Sequence, residues 1–116
     1  VSGAHTVVFD EVDSGVGGAI AEIVGRRMRD LGNDRQVLTV THLPQVAALA
    51  HQHVLVSKVS SKHASHSEIV TLPAAERAQE IARMLGGLDV TARTLAHARE
   101  MLSAAAKPAS RGKARS

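Results

Sequence analysis

Thr6-Val7-Val8-Phe9 is a run of β-branched and aromatic residues that ends in two adjacent carboxylates, Asp10 and Glu11. Such a run reads as a short buried strand. A glycine-rich turn at Gly15, Gly17 and Gly18 follows. Ile20, Ile23, Val24, Met28 and Leu31 then recur at helical spacing until Gly32-Asn33 ends the pattern. A strand, a glycine turn and an amphipathic helix in that order point to an α/β layer fold that begins with parallel strands.

The rest of the chain continues the alternation. Gln36 to Thr41 reads as a second buried strand and Leu43 to Ala50 as a short helix, with Pro44 tolerated in its first turn. Val54 to Val59 is a third strand, Ser60 to Ser67 a polar loop, and Glu68 to Leu72 a fourth strand paired with the third as a hairpin. Pro73 opens a helix in which Ala78, Ile81, Ala82 and Leu85 share a face, and Gly86-Gly87 stops it. Asp89 or Thr91 can cap a last helix carrying Leu95, Ala98 and Leu102. From Ala104 the composition turns to Ala, Lys, Pro, Ser, Arg and Gly, which reads as a disordered tail. The expected division is therefore one lobe over residues 1–103 and a basic tail over 104–116. The order of elements is short for a complete doubly wound domain and looks like its second half, with an antiparallel edge hairpin and C-terminal helices. Strands left without their usual neighbours make an open, aggregation-prone edge, so marginal stability is expected.

Composition removes several function classes. Phe9 is the only aromatic among 116 residues, so a base-stacking platform for single strands cannot be built. There is no cysteine, hence no disulfide framework and no thiolate metal site. No apolar run reaches the length of a membrane span. The net charge of +3 comes from Lys107, Arg111, Lys113 and Arg115; without those four, 10 basic residues face 11 acidic ones. A high pI that resides in a tail says little about nucleic-acid binding by the fold itself. The chain begins at Val1 with neither a Met nor a basic leader, and is expected to be a piece of a longer protein.

The chemistry concentrates at strand ends. In open α/β sheets, ligands lie beyond the carboxyl ends of the strands, where Asp10 and Glu11 fall. Phosphoryl transfer uses one carboxylate to hold Mg²⁺ and a second group to orient the attacking nucleophile. Adjacent residues on a strand project to opposite sides and can divide those tasks. The plainer reading is a solvated turn. The second strand repeats the logic, because Val37-Leu38-Thr39-Val40-Thr41 ends in His42. An imidazole on the same rim can donate a hydrogen bond to a phosphate oxygen; alone it would read as a loop histidine.

Taken together, the motifs resemble those of ATP-binding-cassette and SMC-type ATPases. The acid pair is similar to a Walker B motif, Asp13-Ser14-Gly15-Val16-Gly17-Gly18 to the D-loop after it, and Thr41-His42-Leu43-Pro44-Gln45-Val46-Ala47 to a switch-histidine segment. With His51-Gln52-His53, Val56-Ser57-Lys58 and Ala82-Arg83-Met84-Leu85-Gly86-Gly87 added, the wording resembles the C-terminal end of the RecN family, bacterial SMC-like ATPases of DNA double-strand-break repair and recombination. The resemblance runs from about Thr6 to about Leu102. It implies that Asp10 coordinates Mg²⁺ through water, Glu11 is the general base or aligns the hydrolytic water, His42 senses the γ-phosphate, and Ser14 and Gly15 meet a second head. It implies ATP and Mg²⁺ as cofactors. As partners it implies DNA ends or single-stranded regions, the N-terminal half of the same head and a second head in a homodimer. It places the protein in the bacterial cytoplasm at the nucleoid, with no membrane. Gly17 stands where the broader pattern has an acid, which weakens the case for cross-dimer contacts by that acid.

The phosphate-holding motifs are not in this sequence. Gly112-Lys113 is followed by Ala114, with Lys107 where the first glycine of a P-loop belongs. The third position of a dinucleotide fingerprint is Ile20. The signature motif and a heptad run are also missing, so the chain reads as the hydrolytic half of a split site, inactive alone. A non-catalytic interaction module is the alternative. His51-x-His53 and His63-x-x-His66 lack the further ligands of a metal site. The tail is either a solubilising end or a phosphate contact. Arg26, Arg27 and Arg29 cannot share one helix face and read as solvated surface.

Overall fold

The computed structural model describes residues 5–10, 15, 17–87 and 89–107. The elements are β1 (Thr6–Asp10), α1 (Gly18–Leu31), β2 (Gln36–Val40), α2 (Pro44–Ala47), β3 (Val54–Ser60), β4 (Ser65–Thr71), α3 (Ala74–Gly86) and α4 (Ala92–Ala106). Their order and type follow the expected alternation. β1 and β2 are parallel, with Thr6 opposite Gln36 and Asp10 opposite Val40. The helix between them makes the βαβ unit that the glycine turn announced.

α1 buries a narrower stripe than its apolar residues suggest. Ala21, Gly25 and Met28 are buried and Val24 half-buried, while Ile20, Ile23 and Leu31 stay exposed. The reason is α2, which lies close against α1. A Cβ on Gly25 would come within 2.6 Å of Leu49 Cδ1. Only small residues permit that approach, so the larger side chains point elsewhere. Ala21, Met28 and Val46 form one core cluster, with Phe9, Val24, Val37 and Leu43 packed against it.

The second core joins the helices. Ala47, Ala48, Ile81, Ala82 and Ala98 are buried together, flanked by Met84, Leu85, Leu95, Met101 and Leu102. The face expected for α3 is the one it buries. Thr91, rather than Asp89, caps α4: its hydroxyl accepts from the Thr94 amide at 3.1 Å. α4 runs through Ala106 with Ala105 buried, so it takes in the first three residues of the expected tail. Three consecutive alanines there favour helix more than the composition shift opposed it.

β3 and β4 form the expected antiparallel hairpin, from Val54 opposite Thr71 to Ser60 opposite Ser65. The polar loop is shorter than expected, because Ser65, His66 and Ser67 pair in β4. This ladder is not hydrogen-bonded to β1–β2; the described strands form two separate two-stranded sheets.

Candidate functional site

The site is a rim defined by strand ends. The parallel register sets Asp10 beside Val40, so the two strands end at the same edge of the sheet. Asp10 is exposed at that edge. Glu11 and Ser14 lie outside the described residues, so their positions are not part of this geometry. Gly15 is exposed in a turn with φ of +81°, a conformation that a side chain would strain.

His42 is exposed two residues beyond β2. Its setting is built by the residues around it. The Leu43 amide donates to Thr41 Oγ1 at 3.0 Å, which turns the chain sharply after the strand. Pro44 then starts α2, and Pro44, Val46 and Ala47 are buried. The segment is thus anchored by its apolar residues while the imidazole stays in solvent. Asp10 and His42 are both exposed, one at the end of β1 and the other two residues past the end of β2, and no hydrogen bond joins them. A cleft of about 250 Å³ between α1, α2 and α4 is lined by Glu22, Arg26, Gln45, Leu49, Glu100 and Met101, and by neither Asp10 nor His42.

Two arginines brace the segment that follows. Arg77 reaches from α3 to the carbonyl oxygens of Ala47 (3.0 Å), Ala48 (3.4 Å), Ala50 (2.5 Å) and His51 (3.5 Å). Arg29, from α1, donates to the remaining carbonyl, Leu49 O, at 2.7 Å. Five successive carbonyls at a helix C-terminus are satisfied in this way, where cations are favoured. Burial, and then the charge of Arg29, hold Arg77 below the usual range for a guanidinium.

Sequence reasoning missed this brace. Arg77 lies four residues before Ile81, so it stands on the edge of the buried stripe, which was the available signal. Arg29 corrects the expectation of a solvated basic surface. Arg26 does so in part, donating to Ala104 O at 3.3 Å, whereas Arg27 is exposed.

Among the described residues no group of three or more His, Asp or Glu is placed to hold an ion. His53 is half-buried beside Arg77. Its pKa is lowered by burial and then by the Arg77 charge, with Glu80 opposing. A cation beside the ring disfavours a metal there. Asp10, by contrast, offers exposed carboxylate oxygens of the kind Mg²⁺ prefers.

No family model matches the chain. DNA repair protein RecN of Xylella fastidiosa is 54% identical over 97 residues, spanning 84% of this chain. RecN of Deinococcus radiodurans is 49% identical over 105 residues, or 89% of the chain, and RecN of Vibrio cholerae 44% over 100 residues, or 86%. The chain matches the C-terminal part of RecN. It spans only 17% of the length of the first of these relatives and 18% of the other two.

A solved chain from work on ATP-driven dimerization and DNA-stimulated activation of SMC ATPases superposes with a TM-score of 0.56, covering 74% of this chain and 50% of that one. At 19% identity the likeness is one of fold. Among the described residues no helix is long and apolar enough to cross a membrane.

Proposed function

We propose that this chain is the hydrolytic half of a RecN-like ATP site used in DNA double-strand-break repair. The observation that carries the reading is the parallel β1–β2 register, which brings the end of the acidic strand and the approach to His42 to one rim. Asp10 would help to hold Mg²⁺, and Glu11, the next residue in sequence, would orient and deprotonate the attacking water. His42 hydrogen-bonds the terminal phosphate and reports its presence. Ser14 and Gly15 meet the second head of a homodimer. Bound Mg·ATP supplies the phosphoryl group and the counter-charge for its transfer. The chain's own task is to position water and sense phosphate.

The phosphate loop and signature belong to the rest of the intact protein, which also engages DNA in the bacterial cytoplasm. The exposed outer face of β1–β2, with Val8, Leu38 and Val40, is where the N-terminal half of the same head docks. Its apolar character supports that assignment, since a strand with apolar residues on both faces belongs in a sheet covered on both sides.

The test is Mg²⁺-dependent ATP hydrolysis by the chain alone, then with the N-terminal portion of a RecN-type head added in trans. Activity should need both pieces, and Glu11→Gln should abolish turnover while nucleotide binding persists. Equal turnover by the Glu11→Gln complex removes Glu11 from the role. An associated but inactive wild-type complex favours a non-catalytic interaction module.

A further inference from the structure

The β3–β4 hairpin divides into two zones of different chemistry. At its base, Val54, Leu55 and Val56 lie opposite Thr71, Val70 and Ile69. Beyond that, residues 57–67 contain Lys58, Lys62, His63, His66 and five serines, and no carboxylate. Glu68 follows, 3.5 Å from His66. Every residue from 56 to 71 is exposed.

The apex is a formed turn. The Ser61 amide donates to Ala64 O at 2.7 Å, the Ser61 hydroxyl donates to the same oxygen at 2.9 Å, and the Ala64 amide donates to Ser61 Oγ at 3.2 Å. Ser61 therefore spends its side chain on closing the turn, and Lys62 and His63 stand at the top of it. Lys58 sits opposite Ser67, on the strand face it shares with Ser60 and Ser65. Two ammonium groups and a set of hydroxyl donors thus project from one narrow ribbon.

Those groups fit phosphate better than protein. A protein interface takes its energy from buried aromatic, Arg or large apolar anchors, and the tip has none beyond Val59. Nucleic-acid interfaces are polar and positive. Duplex is favoured over single strand because the one aromatic, Phe9, is committed to the α1 core and leaves no ring for stacking. A two-stranded ribbon also has the width that a duplex major groove admits.

We propose that the tip of the β3–β4 hairpin is a duplex-DNA contact in which Lys58 and Lys62 meet the phosphate backbone. It rests on the function proposed above only in taking DNA as the partner, and does not need ATP hydrolysis. The contact reads backbone rather than sequence, because lysines and serines placed this way carry no base code.

The experiment is fluorescence anisotropy of a short labelled duplex with the full chain across a salt series. Lys58→Gln with Lys62→Gln should weaken binding severalfold and lower the slope of log affinity against log salt by about 2, the loss expected for two phosphate contacts. The Lys58→Arg, Lys62→Arg pair should retain both, and far-UV circular dichroism should be the same for all three proteins. Replacing Lys107, Arg111, Lys113 and Arg115 by Gln should leave the dependence on Lys58 and Lys62 in place. An unchanged slope in the Gln pair overturns the proposal. So does single-stranded DNA of the same length binding as tightly as duplex. Competition by polyglutamate with the same lysine dependence also overturns it, in favour of an acidic protein partner. Lysine-dependent duplex binding in a chain that never reconstitutes ATP hydrolysis would sink the nucleotide reading and leave this one standing.

Discussion

The α3–α4 helical pair and the β1–β2 strand pair are both built on aliphatic side chains, and they end with opposite surfaces. In the helical pair the apolar residues recur every three or four positions, so each helix has one stripe to hide. Ile81, Ala82 and Ala98 reach 0% exposure against each other and α2. In the strand pair the apolar residues are consecutive and occupy both faces. α1 and α2 cover the side that holds Val7, Phe9 and Val37. The other side leaves Val8 65%, Leu38 49% and Val40 58% exposed. A helical period of apolar residues can close within two elements, whereas a continuous run needs a layer on each side.

Four measurements break or sharpen that contrast. The largest effect is expected at the closed end. Ile81→Ala should cost about 3 kcal/mol in urea denaturation, because the cavity opens among small alanines that cannot collapse into it. A loss below about 1 kcal/mol would mean that the helical pair is not the firm part of the chain. Next is the arginine brace that ties α3 to the end of α2 and the turn after it. Arg77→Leu leaves four carbonyls between Ala47 and His51 without their side-chain donor, and a loss of about 2 kcal/mol is expected. Hydrogen exchange should show faster opening around residues 47–51 than in α4; equal protection would count against the brace.

The open end should respond in the other way. Leu38→Thr with Val40→Thr should change the stability of the isolated chain by no more than about 0.5 kcal/mol and reduce self-association seen by light scattering. A loss of several kcal/mol would show that this face is covered after all.

The smallest effect concerns pH. His53 has a lowered pKa in the fold, so the unfolded chain takes up a proton near the ordinary value of 6.5 while the folded chain resists. Stability from this group is therefore complete above that pH and declines as pH falls below it. His53→Gln should flatten that part of the melting-midpoint curve, and an unaltered curve would show that Arg77 and burial do not hold the ring neutral.

Much of the fold was legible. The β1–α1–β2 order, the hairpin, the buried face of α3 and the Thr91 cap each follow from a local signal: a period, a turn residue or a cap. Asp10 and His42 were legible as strand-end polar residues, and their common rim follows once the strands are read as parallel. The arginine brace was not, since Arg29 and Arg77 are far apart in sequence and meet only because α1 and α3 flank the same turn. That Ile20 and Ile23 stay exposed was not legible either, for a similar reason. Periodicity shows that a helix has an apolar face, but the neighbour it packs against selects which residues fill it.

The sequence by itself determined which segments are helix and strand and which polar residues stand at strand ends, because those depend on interactions a few residues apart. Only the tertiary structure decided that Gly25 admits α2, that five carbonyls are shared between two arginines, and that one face of β1–β2 stays bare. Those outcomes depend on distances between segments far apart in the chain, and close packing turns a single Cβ at such a point into a decision about the whole contact.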